Sequence, residues 1–386
     1  MNIQDLIDRG LVQNCSNLEV VKKLPENTTF YVGFDPTADS LHIGHLLPII
    51  VMRRLKEAGA NPIAVIGGST ARVGDPTGRT TTRPILTQSE LDNNISSITN
   101  QIKSIVDCTI VNNKDFTNVN FIDFVSDIGR YFSVNTMLKT DTFKTKLENG
   151  LSFLEFSYSL LQANDFLCLF RQHNCLLQVG GSDQWANMIA GIDLIHAKEH
   201  KQAFCLTLPI LEDKNGNKFG KSAGNAIWLD KNKTSVFDFW QFWRNVPDDM
   251  VKTLFMFFTF WSIQEINSLD FSKINERKVQ LADLVTLLVH GHAELDLVKN
   301  KVKVLFEGAD ESLVEPFKVE SSKLLSEILK DVGATSSRSE ALRLLQQKAI
   351  KIDGDVIASD FKLCDFNKTK FLLEKGKKQK FFIKVI

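Results

Sequence analysis

The chain has 386 residues, 43% of them hydrophobic, and its 46 basic side chains are matched by 46 acidic ones. That length exceeds one small core and implies two or three domains, while the balanced charge leaves no global field to draw nucleic acid or a membrane. Six scattered cysteines without a C-x-x-C pair argue against a zinc site or a disulfide framework and for free thiols in a reducing compartment.

In chain order, MNIQDLIDRGLV reads as an amphipathic helix start rather than a signal peptide. No apolar run reaches transmembrane length, so a soluble, cytoplasmic protein without a membrane partner is expected. TFYVGF (29–34) reads as a buried strand, 43–59 as a helix and NPIAVIGG (61–68) as the next strand, a βαβ unit that implies a parallel sheet. LLQVGG (176–181) and FCLTLPIL (204–211) are further strands. Ligands in such sheets bind beyond the carboxyl ends of the strands, which directs attention to DPTADSLHIGH, GSTARVGDPTGR and GSDQW. From about Thr234 to Gly308 the pattern is helical, GADESLVEPFKVESS behaves as a linker, and two short helices followed by a strand-turn pattern close the chain. The last segment, 323–386, carries fourteen Lys/Arg against eight Asp/Glu, a net +6 that leaves −6 on residues 1–322. Such an imbalance fits a polyanionic partner or a plain lysine-rich surface.

Within LHIGH, His42 and His45 flank Gly44. A metal site would want a third ligand, and no carboxylate lies between the histidines. Gly44 would let a ligand lie flat on the backbone, and a helix beginning here would aim free N–H groups at an anion. Pro48 is expected near that helix's first turn, where a missing N–H costs little. The motif leans toward a nucleotide phosphate over a metal, with an incidental pair still open. NKFGKS (217–222) is not a P-loop, because Gly216 lies one residue too close to Gly220. Lys218 and Lys221 there suit a polyphosphate or a solvated basic turn. In FLEFSYSLLQANDF, Tyr158, Gln162 and Asp165 fall on one helical stripe together with Leu154 and Leu169. Leucines in the stripe predict burial, and a buried carboxylate and phenol need a partner. His290 and His292 in VHGHAE read as surface histidines.

LHIGH followed by KFGKS resembles the two signature motifs of class I aminoacyl-tRNA synthetases. With YVGFDPTADSLHIGHL, GDPTGR, FLEFSYSLLQANDF and QVGGSDQWANMIAGIDLI in order, nearly the whole chain looks like bacterial-type tyrosyl-tRNA synthetase. The loop reads KFGKS where the wider class has KMSKS, a departure that touches its mobility more than its lysines. The resemblance implies a Rossmann-like α/β catalytic domain over 1–225, a helical anticodon-region domain over 226–310 with the KFGKS loop at its start, a linker over 311–322 and an S4-like α+β RNA-binding domain over 323–386. It implies activation of L-tyrosine with ATP and Mg²⁺, transfer to tRNA(Tyr), no resident cofactor, no protein-bound metal and a homodimer. Tyr31 and Asp165 would hold the substrate hydroxyl; Tyr158, Gln162 and Asp75 its ammonium; Gln184 its carboxylate; Asn113 also belongs to this pocket. Gly33, Asp35, Gly44, Gly181, Asp183, Arg79, Arg83 and Lys221 would meet ATP. Thr37, His42, His45, Lys218 and Lys221 would stabilise the phosphates during reaction, and Arg338, Arg343, Lys348 and Lys351 would touch RNA. Two of only three tyrosines fall in this pocket. Tryptophanyl-tRNA synthetase, an H-x-G-H nucleotidyltransferase and a silent RNA-binding paralogue are the competing readings. Tyr31 with Asp165 and GGSDQW favours tyrosine over tryptophan. The lysine loop and S4-like tail argue against the nucleotidyltransferase, and the intact histidines and lysines against the silent paralogue.

Overall fold

The computed structural model describes residues 2–77, 86–116, 119–212, 219–222, 225–307, 316–366, 368–376 and 379–386. They divide into two compact units, 1–289 and 290–386. The first carries strands β1 (Asn14–Cys15), β2 (Thr29–Phe34), β3 (Asn61–Ile66), β4 (Thr109–Asn112), β5 (Cys175–Gly181) and β6 (Phe204–Leu208). They form one sheet in the order β1-β6-β5-β2-β3-β4, parallel throughout except at the antiparallel β1–β6 edge. The chain builds β3 and β4 on one side of β2, then returns to lay β5 and β6 on the other. The strand order therefore reverses between β2 and β5, where a crevice opens in sheets of this type. β3 and β6 are apolar and buried along almost their full length, as strands covered on both faces must be.

Helices α1 (Ile43–Glu57), α2 (Gln88–Ile105), α3 (Phe153–His173) and α4 (Trp185–Glu199) surround this sheet. Two open with a Ser/Thr-x-x-Glu box that satisfies otherwise orphaned N–H groups: Thr87 with Glu90 on α2, and Ser152 with Glu155 on α3. α3 ends at Asn174 in the left-handed conformation (φ 49°), where Asn is tolerated. Its buried stretch packs Phe166 against Tyr31 of β2, ring centroids 5.2 Å apart. Gly191 lets α4 approach closely, because a Cβ there would lie 2.9 Å from Phe166 Cδ1.

The expected boundary at 225/226 marks no break. Beyond it come the helices α5 (Val236–Arg244) and α6 (Val251–Phe258). Arg9 donates to the carbonyls of Met256 in α6 (3.2 Å) and of Trp261 just after it (2.8 Å), joining the N-terminal segment to this helical layer. The long helix α7 (Ile274–Glu307) is broken at Gly291, whose φ of 81° and ψ of 176° suit glycine alone. The second unit holds β7 (Phe317–Val319), α8 (Leu325–Asp331), α9 (Arg338–Gln346), β8 (Ile350–Ile352), β9 (Asp355–Ile357), β10 (Lys370–Lys375) and β11 (Gln379–Val385). Its five-stranded sheet runs β9-β8-β10-β11-β7 and covers a core of Leu325, Ile328, Leu345, Ile350, Phe371 and Ile383. Residues 317–319, read from sequence as linker, are thus its edge strand, paired parallel with β11. Other corrections are small: α1 stops at Glu57, β3 at Ile66 and β6 at Leu208, just before Pro209, which has no N–H to give.

Among the described residues no helix is long and apolar enough to cross a membrane. Gly191→Val should lower stability by about 1–3 kcal/mol through overpacking against Phe166, read as a lower urea midpoint; an unchanged midpoint would show that the α3–α4 contact has room to spare.

Candidate active site

A cavity of about 600 Å³ opens at the reversal between β2 and β5. The carboxyl ends of β2 and β5, the start of α1, the polar stripe of α3 and the segment after β6 line it. At its inner end the sheet sets Tyr31 directly beside Gln178. Both are buried, as is Asp165 of α3 at 4% exposure.

Among the described residues, five polar atoms lining this cavity are buried without a hydrogen-bond partner: Tyr31 Oη, Thr77 Oγ1, Gln162 Oε1, Asp165 Oδ1 and Gln178 Oε1. Each such group costs about 1–3 kcal/mol if left unpaired, so a cluster of five marks a place prepared for a polar ligand. The other Asp165 oxygen accepts from Asn113 Nδ2 at 2.8 Å, and Asn113 is in turn fixed by Ser69 N (2.8 Å) and Thr70 Oγ1 (3.1 Å). Burial raises the Asp165 carboxyl well above its ordinary range, opposed by the Asn113 bond and reinforced by Asp35. Burial, then Asp165, also raises the Tyr31 phenol, which stays a protonated donor. Tyr158 is raised by burial first and by Asp35 second.

Nearer the mouth, Asp35 accepts from Thr70 Oγ1 (2.7 Å) and from the Tyr158 hydroxyl (3.0 Å). A Cβ on Gly67 would stand 2.1 Å from Asp35 Oδ1, so only glycine permits this placement. Asp75 accepts from Gln184 Nε2 at 2.6 Å, and Gln184 is held by Asn187, itself bonded to Ser159 of α3. Gly181 leaves room for Asp183, whose Oδ1 would meet a Cβ at 2.5 Å. The N-cap of α4 is Gln184 and not Asp183, so helix capping does not account for that aspartate.

The start of α1 has an unusual cap. His42 Nδ1 accepts from Gly44 N at 3.0 Å, and His45 Nδ1 accepts from His42 N at 3.3 Å, a capping box made of two imidazoles. With both Nδ1 atoms accepting, each neutral ring carries its proton on Nε2 as a donor. Gly44 is required by this fold-back before any ligand arrives, since a Cβ would lie 2.8 Å from His42 Cε1. Pro48 stands in the second turn and not the first as expected, and cannot donate to the Gly44 carbonyl. The lysine-loop segment is tied to this cap through backbone bonds: Ile43 N to Ile227 O (3.0 Å) and Ile227 N to Gly220 O (3.0 Å).

A family model described as tRNA synthetases class I (W and Y) matches residues 22–307. The chain belongs to that family. It is 42% identical to the tyrosine–tRNA ligase of Clostridium kluyveri over 397 residues, covering 98% of both chains. The same enzyme of Clostridium tetani is 41% identical, with 98% of this chain and 97% of that one covered. Among solved structures, a C-terminally truncated Aspergillus nidulans mitochondrial tyrosyl-tRNA synthetase matches 79% of this chain and 94% of its own, at 30% identity and a TM-score of 0.71.

Against the sequence expectations, the cavity gathers Tyr31, Gly33, Asp35, Thr37, His42, Gly44, His45, Asp75, Asn113, Tyr158, Gln162, Asp165, Gly181, Asp183 and Gln184. Lys218, Arg79 and Arg83 lie outside the described residues, and Lys221 is described only through its backbone pairing with Ala226. The α3 stripe is buried at Tyr158, Asp165 and Leu169, but Leu154 is 48% exposed, so that leucine was no sign of burial. Sequence reasoning missed Gln178 and Thr70; a lone glutamine inside the apolar run LLQVGG was the available signal for the first.

The raised carboxyl has a consequence for stability. An acid whose folded pKa lies above its unfolded value binds its proton more tightly in the native state, so stability falls as pH rises between the two. Asp165→Asn should therefore raise the Tm of the unliganded protein at pH 8, with the gap closing toward pH 4; equal Tm values at pH 8 would contradict a carboxylate governed by burial.

Proposed function

We propose that this chain activates L-tyrosine with ATP, giving tyrosyl-adenylate and pyrophosphate, and then passes the tyrosyl group to the 3′ end of tRNA(Tyr). The observation that carries this reading is the pair of unpartnered atoms at the inner end of the cavity. Asp165 Oδ1 can accept and Tyr31 Oη can donate, which together match the donor and acceptor of one phenolic hydroxyl. Phenylalanine would leave both unpaired, while the indole of tryptophan would offer a donor and no acceptor.

With the hydroxyl seated there, the ammonium of tyrosine falls to Gln162 Oε1, Asp75 and Tyr158, and its carboxylate to Gln184. The carboxylate attacks the α-phosphorus of ATP in line, and no protein nucleophile is needed. Gly33, Asp35, Gly44, Gly181 and Asp183 are assigned to ATP, which enters with Mg²⁺ neutralising its phosphates. His42 and His45 present Nε2–H to the phosphates, and with Thr37, Lys218 and Lys221 they stabilise the charge that develops on pyrophosphate. Arg79 and Arg83 are assigned to the pyrophosphate side.

The S4-like module over 323–386 is assigned to tRNA. Arg343, Lys348 and Lys351 are exposed there, whereas Arg338 is partly engaged by Glu327 at 3.3 Å and Ser326 at 3.2 Å. A homodimer is supported by Phe121, Ile122 and Val125, apolar side chains 64%, 69% and 43% exposed on one short helix.

Tyrosine-dependent exchange of pyrophosphate into ATP is the direct test; exchange with tryptophan in place of tyrosine would overturn the assignment. Tyr31→Phe should lower kcat/KM for tyrosine roughly five-fold, the value of about 1 kcal/mol for one neutral hydrogen bond, and leave that for phenylalanine unchanged. An equal loss for both amino acids would place Tyr31 outside the hydroxyl subsite. Deleting 323–386 should preserve exchange and abolish tRNA charging; lost exchange would contradict this division of labour.

A further inference from the structure

The proposed chemistry leaves Trp228 without a task, although it stands against His42, where the segment after the lysine loop meets the start of α1. Its backbone forms an isolated antiparallel bridge with His42. Its indole meets the His42 imidazole edge-on, ring centroids 6.1 Å apart and planes at 63°. On its other contact, Lys233 Nζ lies 5.0 Å from the indole centroid, and Lys233 is itself paired with Asp39 of the DPTADS turn. The His42 ring continues the series to His45, at 4.1 Å between centroids. The backbone around Trp228 is fixed as well: its N–H donates to Thr234 Oγ1 (2.9 Å), Ile43 N donates to Ile227 O (3.0 Å), and Leu229 N donates to Leu41 O (2.8 Å).

From this arrangement we infer that Trp228 is a positioning residue for His42. The inference rests on the proposed activity, in which His42 Nε2–H meets the phosphates. The cap bond to Gly44 N holds the imidazole at Nδ1. The indole edge and the His45 ring both pack against it, so the direction of Nε2–H is set by contacts from two different segments. The cation–π contact with Lys233 in turn fixes the indole, and the Asp39 pair fixes Lys233. An oriented donor acts on the transition state without reorganising, whereas a donor free to swing must be ordered at each turnover. Trp228 would thus act on the rate of adenylate formation and not on substrate affinity.

The test compares Trp228→Ala and Trp228→Phe in tyrosine-dependent pyrophosphate exchange, each also in a His42→Ala background, with thermal melts of every variant. Trp228→Ala should lower kcat about ten-fold with KM for ATP and tyrosine within about two-fold of wild type. Trp228→Phe, which keeps an aromatic edge, should recover most of the rate. In the His42→Ala background Trp228→Ala should cost nothing further, because residues acting through one another are not additive. Additive losses, a change confined to KM, or a Phe variant as slow as the Ala variant at unchanged Tm would each overturn the inference. Absence of tyrosine-dependent exchange in the wild type would instead reject the proposed activity, a separate outcome.

Discussion

The parallel pairing of β2 with β5 is the constraint on which the site depends. It joins the two halves of the strand order and places Tyr31 beside Gln178 in register. It also brings the segments after both strands to one edge of the sheet, where neither is covered by a crossover helix. One face of this pair packs on α3, and the Tyr31–Phe166 contact sets how far Asp165 stands from the tyrosine hydroxyl. A slip of one residue in this register would turn Tyr31 to the opposite face and empty the pocket of its donor.

The inner pocket is held together by interactions that leave its ligand-facing atoms unpaired. Asn113 takes one oxygen of Asp165 and leaves the other. Thr70 and Tyr158 secure Asp35, while Asn187 orients Gln184 toward Asp75. Each supporting bond spends a polar group on rigidity, and the remaining orphans carry a cost that the unliganded protein bears. Stability and recognition are opposed here for a plain reason: a carboxylate that binds a phenol well in a dry pocket is a carboxylate that is poorly solvated without it.

The mouth of the cavity obeys different physics. There the helix start of α1 is capped by its own histidines, so the rings proposed to meet the phosphates also complete the helix. Backbone bonds through Ile227 tie that cap to Gly220 at the base of the lysine loop. Phe219 beside it is anchored among Phe242, Trp243 and Phe258, with Phe242 closest at 5.1 Å. The aromatic residue of KFGKS is therefore built into the helical layer, and Phe219 and Phe258 carry that packing to the wall of the cavity.

The sequence by itself determined the βαβ start, the helical middle, the α+β end and most of the cavity's polar residues. These are properties of local periodicity and of short motifs whose glycines and charged groups have few other uses. It did not reveal the edge strands Asn14–Cys15 and Phe317–Val319, which are too short for a periodic signal and exist only because a partner strand offers hydrogen bonds. Nor did it reveal that Leu154 is exposed, that Gly44 serves the His42 fold-back, or that Trp228 touches His42. The tertiary structure decided those points, because each depends on atoms distant in the chain or on a side-chain rotation, and residue spacing encodes neither.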